Sequence, residues 1–256
     1  MLHHTPKFRT KIAENTDELI AAQKLRYRIF VQELGGEGDM VDHELGLERD
    51  GFDPYFDHIL LFDDAQKSNP IIGVYRVMTC DKANEFGEFY SDKEYDLTLL
   101  RRSGKKLLEL GRSCLDRDYR GGTALAYLWQ AVANYTLERK IEILFGVASF
   151  HGTVVSELAE PLSLLHHQYL VEEKLRPVAK KPFNQKMDIL EPDMINRKSA
   201  VLKMPALIKS YIRLGGKVGL DAFIDHKFNT TDVCLIMDIS SMNDKRKSFF
   251  VKGEVS

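Results

Sequence analysis

The sequence contains few cysteines and almost no excess charge of either sign. Cys80, Cys114 and Cys234 are odd in number and far apart, which argues against a disulfide framework or a zinc site and suits a reducing compartment. Lysines and arginines number 36 against 38 acidic residues, which gives a net charge of −2. No global field therefore favours nucleic acid as a partner, and an acidic partner would need a local cluster of basic residues.

Long apolar stretches are also missing from the sequence. No run approaches the roughly 20 apolar residues of a membrane-spanning helix, and residues 1–10 lack the apolar run of a signal peptide. The sequence therefore predicts a protein that is soluble or peripheral to a membrane. Its 256 residues, 44% of them hydrophobic, suffice for one large α/β domain with a sizeable core.

The spacing of apolar residues predicts helices among the strands of a mixed sheet. Asn15 and Glu18 form a capping box, and the apolar face that follows predicts a helix that ends near Gly35-Gly36. Residues 37–57 are acidic and aperiodic, which predicts a long ordered loop of the kind that is often functional. Strands are predicted at 8–13, 58–62, 71–78, 106–114, 143–147, 184–190, 218–224 and 232–239, and further helices at 123–139, 154–167 and 204–213.

These elements predict a single domain over residues 1–256. Its core is expected at about 8–190 and a C-terminal extension at about 191–240. Residues 243–256 form a charged tail that is expected to fray.

A strand, a glycine-containing turn and a long helix follow one another in the middle of the chain. The predicted strand at 106–114 leads into Arg120-Gly121-Gly122-Thr123, which opens the helix at 123–139. The backbone amides of such a turn and the helix N-terminus point together, so the arrangement can bind an anion. Most turns between a strand and a helix bind no ligand, so the pattern alone does not identify one.

Four motifs follow one another along the first half of the sequence. They are Leu25-Arg26-Tyr27-Arg28-Ile29-Phe30, Glu48-Arg49-Asp50-Gly51-Phe52-Asp53, Ile72-Gly73-Val74-Tyr75-Arg76-Val77 and Glu109-Leu110-Gly111-Arg112. In this order they resemble the motifs of the acyl-homoserine-lactone synthases and their GNAT-like relatives. The segment ELGRSCLDRDYRGGTALAYLW, at residues 109–129, and the late segment Met204–Asp232 narrow the resemblance to the bacterial L-ornithine Nα-acyltransferases. The resemblance covers residues 8–240.

The resemblance implies a GNAT-like fold and an enzyme that moves an acyl chain from acyl carrier protein to ornithine in the bacterial cytoplasm. It implies no metal and no cofactor except the phosphopantetheine arm of the donor. Two positions depart from the related patterns. Thr123 and Leu125 stand where GNAT proteins have the glycines of a pyrophosphate loop, which suits an arm with a single phosphate. Leu34-Gly35-Gly36 lacks the tryptophan that the lactone synthases have after the glycine.

Amide formation needs a base, because an α-amine is mostly protonated near neutral pH. Glu109 is the candidate, since it precedes the turn expected to hold the donor arm. By resemblance, Glu109 and Arg112 match the two charged residues of the Glu-x-x-Arg strand in the lactone synthases. The alternative is a structural ion pair between Glu109 and Arg112 or Arg76. Cys114 could suggest a covalent intermediate, but no histidine spacing supports an activated thiol, and direct transfer is preferred.

Acceptor binding is assigned to the acidic loop and to two strand arginines. Glu48, Asp50, Asp53 or Asp57 could pair with the side-chain ammonium of ornithine, and Arg76 or Arg112 could hold its carboxylate. The alternative is an acidic loop that only caps the sheet. Arg26 and Arg28 are expected to fix this loop by ion pairing. His58 is expected to be structural, and His166-His167 to lie on a helix surface.

Donor binding is assigned to Arg117, Arg120, Gly121, Gly122 and Thr123. Acyl carrier protein is strongly acidic, and further basic residues are candidates for its docking. Three hypotheses stay open: acylation of ornithine, acylation of S-adenosylmethionine or another amino acid, and a non-catalytic membrane-active or binding protein on this fold. Further docking candidates are Arg101-Arg102, Lys105-Lys106 and Lys180-Lys181. Candidates for an acyl slot, with core packing as the alternative, are Trp129, Phe145, Val147 and Phe150. Helix Ala206–Leu214 either contacts a membrane surface or packs in the core.

Overall fold

The computed structural model describes residues 4–68, 70–240 and 242, and the chain folds as two compact units. The first contains the described residues up to Gly87 together with Leu110–Lys140, and the second contains Glu88–Glu109 and the described residues from Ile141 onward. The expectation of one domain with a C-terminal extension stays a prediction. The expectation of a frayed charged tail concerns residues 243–256, which lie outside the described residues.

The strands and helices alternate along the chain as in other α/β proteins. The strands are β1 (Phe8–Ile12), β2 (Asp57–Asp63), β3 (Ile71–Thr79), β4 (Tyr95–Asp96), β5 (Leu107–Leu115), β6 (Ile143–His151), β7 (Val178–Ala179), β8 (Asn184–Gln185), β9 (Lys217–Val218), β10 (Ala222–Asp225) and β11 (Thr230–Asp238). The helices are α1 (Thr16–Arg26), α2 (Cys80–Phe86), α3 (Thr98–Arg102), α4 (Ala124–Glu138), α5 (Val155–Tyr169), α6 (Arg197–Lys203) and α7 (Ala206–Arg213).

Helix α1 begins where the capping signal predicts it. The Asn15 side chain accepts the Glu18 backbone N–H at 3.0 Å, whereas the Glu18 carboxylate accepts from Glu14 rather than completing the box at Asn15. The buried face of the helix, which includes Ala22 and Leu25, packs on β2 and β3. The chain then continues as a π-helix over Tyr27–Glu33 and turns away at Gly35, whose φ is +70°.

The sheet of the first unit pairs β1, β2 and β3 in antiparallel order. Residues of β2 and β3 are almost all buried, since α1 and α4 pack against them. Gly73 permits the close approach of α4, because a Cβ at this position would lie 2.9 Å from Leu128 Cδ1. The long loop between α1 and β2 is confirmed, with one 3₁₀ turn at Asp53–Tyr55.

The sheet of the second unit is mixed. The first residues of β5 run parallel to β6, with Glu109 opposite Phe145, and β6 pairs antiparallel with β11 over its whole length. Strand β10 joins the other edge of β11 and then pairs with β8. The prediction of an α/β protein with a mixed sheet is confirmed.

Several predictions for the later part of the chain are wrong in detail. The strand expected at 184–190 is only Asn184–Gln185, and the strand expected at 218–224 is split into β9 and β10 because Asp221 takes a left-handed backbone, with φ of +63°. Helices α2, α3 and α6 went unpredicted because five to seven residues are too few to show helical periodicity.

Helix α7 does not present the apolar surface expected of a membrane-contacting helix. Its residues Ile208 and Tyr211, and Leu214 after it, are buried in the second unit. Of the two alternatives for this helix, the structure supports packing in the core, because Ile208, Tyr211 and Leu214 are buried. Among the described residues, the structure has no helix that is both long and apolar enough to cross a membrane.

Candidate active site

A buried ion network joins the acidic loop to the first helix. Arg26, the last residue of α1, is fully buried, and its Nε lies 2.5 Å from Glu48 Oε2. Its Nη1 lies 2.6 Å from Asp53 Oδ1. The prediction that Arg26 fixes the loop by ion pairing is confirmed. The same prediction is wrong for Arg28, which is exposed and pairs with Asp116 at 3.0 Å.

The strand β3 contributes the second arginine of the network. Arg76 Nη1 lies 2.8 Å from Asp50 Oδ1 and 2.7 Å from Asp53 Oδ1, and its guanidinium stacks over the Phe56 ring at 4.2 Å. Its side chain is fully buried. Arg76 therefore holds the loop against the strand, and its predicted contact with the acceptor carboxylate stays a prediction.

The third arginine, Arg112, has an unusual backbone. Its φ of +50° is in the left-handed region, although it lies within β5. A residue without glycine's freedom costs of order 1–3 kcal/mol in such a conformation, and strain of this kind is concentrated at functional sites. Arg112 Nε lies 3.1 Å from Glu48 Oε1, and Nη2 lies 3.5 Å from Asp50 Oδ2. The strained backbone thus directs this guanidinium to the same loop carboxylates.

The network balances three arginines with three carboxylates. Burial alone would raise the pKa of Glu48, Asp50 and Asp53, but the charges of the neighbouring arginines outweigh it, and the pKa of each carboxyl lies below its ordinary value. The carboxylates are therefore ionised at neutral pH and already bound by arginine. Asp57, also considered for the acceptor, accepts the Tyr135 hydroxyl at 2.7 Å.

His58 lies beside this network and is neutral. Its Nε2 is 3.1 Å from the backbone oxygen of Asp53, and its side chain is buried. Burial, together with the Arg26 charge, lowers the pKa of His58 to about 4. The expectation of a structural histidine agrees with this environment.

The depressed pKa of His58 predicts a pH-dependent stability. Its ordinary value is about 6.5, so between pH 6.5 and 4 the unfolded chain binds a proton that the folded protein excludes. Stability is therefore full above pH 6.5 and is lost as the pH falls toward 4. We expect the free energy of unfolding in urea to fall by about 2 kcal/mol between pH 7.5 and 5 because of this residue. His58→Gln should remove most of that loss, and His167→Gln, at an exposed position of α5, should retain it. An unchanged pH dependence in His58→Gln would contradict the assignment.

Glu109 occupies a different environment, in the second unit. Its carboxylate is buried and accepts the backbone N–H groups of Tyr90 at 2.8 Å and Ser91 at 2.6 Å, and the Ser91 hydroxyl at 2.5 Å. These donors belong to a 3₁₀ turn at Tyr90–Lys93 and stabilise the charged carboxylate. Tyr90 and Ser91 could not be identified from the sequence, since a turn of four residues is too short to have a periodicity.

The glycine-containing turn before α4 has the predicted form. Arg120, Gly121, Gly122 and Thr123 are exposed, Gly121 has a φ of +78°, and the helix starts at Ala124. The Thr123 side chain makes no capping hydrogen bond to the first turn of the helix. The turn therefore leaves the amides of a helix N-terminus without a side-chain cap.

The two arginines expected to bind the donor differ in their surroundings. Arg120 Nη1 lies 2.8 Å from Glu33, and its Nε donates to the Leu115 backbone oxygen at 2.9 Å. Arg117 is exposed, in a 3₁₀ turn that the Asp116 side chain caps. Both arginines are exposed, and Arg120 is held along the turn by Glu33 and the Leu115 backbone.

Cys114 is buried in the first unit. Burial raises the pKa of its thiol to about 12. A thiol in this state is a poor nucleophile. This environment agrees with the preference for direct transfer.

The other candidates of the second unit fall into three groups. Phe145 and Phe150 are core residues, and the Phe145 ring packs edge-on against Phe89 at 5.0 Å. Lys105 pairs with Asp238 at 2.5 Å. Arg101 pairs with Asp92, whose backbone oxygen accepts from Lys180, whereas Arg102, Lys106 and Lys181 are exposed. Of the acyl-slot candidates in the two units, Trp129 is fully buried and Val147 is half-buried.

The structure also brings together three carboxylates that the sequence analysis did not connect. Glu94, Asp225 and Asp232 each offer an oxygen atom within 4.8 Å of the others. Glu94 and Asp232 are buried, and Asp225 is half-buried. Their positions on separate elements explain why sequence spacing gave no signal for this cluster.

Comparison with known proteins first defines a class. An acetyltransferase (GNAT) domain model matches residues 25–130. An N-acyl amino acid synthase from uncultured soil microbes is 15% identical, with a TM-score of 0.51 over 93% of both chains. The acyl-homoserine-lactone (AHL) synthase LasI is 18% identical, with a TM-score of 0.50 over 98% of both chains. The fold is that of the GNAT-like N-acyltransferases, as the sequence motifs predicted.

A closer relative then specifies the family. The L-ornithine N(alpha)-acyltransferase of Rhodobacter capsulatus is 49% identical, and the match covers 96% of this chain and 95% of that protein. The chain belongs to the L-ornithine N(alpha)-acyltransferase family. The resemblance drawn from its motifs is confirmed.

Proposed function

We propose that this chain transfers a long acyl chain, such as a 3-hydroxyacyl chain, from acyl carrier protein to the α-amine of L-ornithine. The 49% identity to the Rhodobacter capsulatus relative, over nearly the whole length of both chains, is the observation that carries the proposal. The product would be lyso-ornithine lipid, and the carrier protein would be released with a free thiol. Peripheral contact with a membrane belongs to the same proposal, because the product has a long acyl chain.

The proposed chemistry is direct attack of the amine on the thioester. Glu109 takes one proton from the ammonium, directly or through a water, and the nitrogen then attacks the carbonyl carbon. The new C–N bond forms as the C–S bond breaks, and the second proton that nitrogen loses ends on the departing thiolate. The Glu109 carboxylate is buried and held by two backbone N–H donors, which supports its assignment as the base. The buried Cys114 thiol supports a path without an acyl-enzyme.

Acceptor binding is proposed at the accessible end of the ion network. Arg112 and Asp50 are less completely buried than Arg76, Glu48 and Asp53. We propose that the Arg112 guanidinium, with its two-pronged geometry, holds the carboxylate of ornithine. Asp50 would face the side-chain ammonium. Arg76, Glu48 and Asp53 would then position these two groups from within the network.

Donor binding is proposed at the turn before α4. The uncapped amides of this helix N-terminus suit the single phosphate of a phosphopantetheine arm, and the exposed Arg117 suits the acidic surface of a carrier protein. Gly121 and Gly122 keep the backbone of the turn accessible, and the ion pair between Arg120 and Glu33 holds the turn in place. No cofactor beyond the arm of the donor is needed for this chemistry.

The proposed donor can be tested by comparing acyl carrier protein with coenzyme A as the carrier of the acyl chain. With ornithine present, we expect thiol release from 3-hydroxyacyl–acyl carrier protein to exceed that from the matching acyl-coenzyme A, with a KM for the carrier protein that rises with salt. Arg117→Glu should raise that KM about tenfold, because a pair of opposite charges becomes a repulsive pair. Lys24→Glu, at an exposed position of α1, is the matched control. Equal use of both donors, without salt dependence, would contradict the proposal.

A further inference from the structure

Residues 194–217 carry charge of one sign only. This stretch contains six lysines and arginines and no aspartate or glutamate, although the protein as a whole has a net charge of −2. The basic residues are Arg197, Lys198, Lys203, Lys209, Arg213 and Lys217. Three elements of the second unit, α6, α7 and β9, and the turns that flank them thus concentrate positive charge.

Helix α6 adds large apolar side chains to this charge. Leu202 is 71% exposed and Met194, just before the helix, is 68% exposed, and Val201 is also exposed. The opposite face of the helix is anchored, since Ala200 is buried and the Ser199 hydroxyl donates to Glu160 of α5. The apolar side chains therefore point outward from a helix that is fixed in place.

The pattern of α6 is the reverse of that of α7. The apolar residues of α7 are buried and form part of the core, as described above. Arg197, Lys198 and Lys203 flank Val201 and Leu202 at the exposed surface of α6. Leucine and other apolar side chains beside lysines and arginines are typical of a helix that lies at the interface of an anionic bilayer. Lys203 also pairs with Glu160 at 3.1 Å, so Arg197 and Lys198 supply most of the charge available to lipid phosphates.

We propose that this α6 surface, made of Met194, Val201, Leu202, Arg197, Lys198 and Lys203, binds the surface of an anionic lipid bilayer. The aliphatic side chains enter the headgroup boundary, and the basic side chains contact the lipid phosphates. The inference rests in part on the proposed function, since the product of that reaction is a lipid that partitions into a bilayer. Binding at α6 would place the enzyme where its product is retained.

The test is sedimentation of the full chain with vesicles, which does not require turnover. We expect binding to vesicles of phosphatidylglycerol and phosphatidylcholine in equal parts, and weaker binding to phosphatidylcholine alone or at high salt. Leu202→Ser and Lys198→Glu should each lower the partition coefficient about tenfold. Leu137→Ser in α4, where the leucine is 50% exposed, and Lys24→Glu in α1 are matched controls that should bind like the parent.

Three outcomes would overturn the inference. The parent protein could fail to sediment with anionic vesicles, or all variants could bind equally. Lys198→Glu could also raise the KM for acyl carrier protein while leaving vesicle binding intact, which would assign this surface to the carrier protein. Turnover is measured separately without vesicles, so a failure of the proposed reaction is distinguished from a failure of lipid binding. Circular dichroism of each variant confirms that it is folded.

Discussion

Replacing Glu109 with glutamine is expected to lower kcat by about 10²–10⁴-fold with an acyl-carrier-protein donor and ornithine. Glutamine has nearly the same shape as glutamate, but it cannot take a proton from the ammonium. It also presents an amide N–H₂ group to one of the two backbone N–H donors of Tyr90 and Ser91, so that one hydrogen bond is lost. The measurement is single-turnover acyl transfer followed by thiol release.

A matched variant separates the loss of a base from the loss of a hydrogen bond. Ser91→Ala removes the hydroxyl donor at 2.5 Å and leaves the Glu109 carboxylate in place. Each variant loses one hydrogen bond, at a cost of about 1 kcal/mol of stability. A base role predicts that Ser91→Ala retains most of its turnover and Glu109→Gln does not. Similar activity in the two variants would assign Glu109 to structure alone.

The pH profile gives a second readout that a structural role would not change. An α-amino group titrates near pH 8, so more of the acceptor is already deprotonated as the pH rises. The deficit of Glu109→Gln should therefore shrink between pH 7 and 9. A deficit that is constant across this range would argue that the carboxylate does not act on the proton of the amine.

Replacing Arg26 with methionine is expected to destabilise the protein by about 3–5 kcal/mol. In the parent protein, the Arg26 guanidinium lies 2.5 Å from Glu48 and 2.6 Å from Asp53. The change leaves both carboxylates buried and removes one arginine partner from each. In a chain of this size, 1 kcal/mol shifts Tm by about 2–4 °C. Thermal and urea unfolding at pH 7.5 measure the change.

The neighbouring Arg28→Met is the matched control for this effect. It removes a guanidinium two residues away, from an exposed pair with Asp116, and should cost about 0–1 kcal/mol. Combining Arg26→Met with Glu48→Gln should recover part of the lost stability, because it removes one buried charge that had lost one of its two arginine partners. A small effect of Arg26→Met, equal to that of Arg28→Met, would show that the loop does not depend on the network.

The sequence predicted the regular elements of the fold better than the contacts of the site. Helix α4 and the strands β2, β3 and β5 have apolar patterns long enough to identify, and the motif from Glu109 to Trp129 specified the family. Periodicity says nothing about φ, so the left-handed backbone of Arg112 could not be predicted. It also cannot show that Glu48, Asp50 and Asp53 would each be bound by arginine.

Apolar periodicity also could not show which helix faces are exposed at the surface. The amphipathic pattern of residues 206–214 suits a core as well as a membrane surface, and only the structure shows that Ile208 and Tyr211 are buried. Helix α6 has seven residues and a weak pattern, and only the structure shows that Leu202 is exposed. The sequence does contain the charge cluster of residues 194–217, which could have been noticed by counting charge along the chain.

The most direct test of the proposed function is the mass of the product formed from 3-hydroxyacyl–acyl carrier protein. Isotopically labelled L-ornithine is supplied together with S-adenosylmethionine and a panel of other amino acids. We predict labelled N-acyl-ornithine in an amount equal to the thiol released, and no homoserine lactone. A product built on another acceptor would contradict the assignment of ornithine. No thiol release from the folded protein with any acceptor would contradict acyl transfer itself and favour a non-catalytic binding protein.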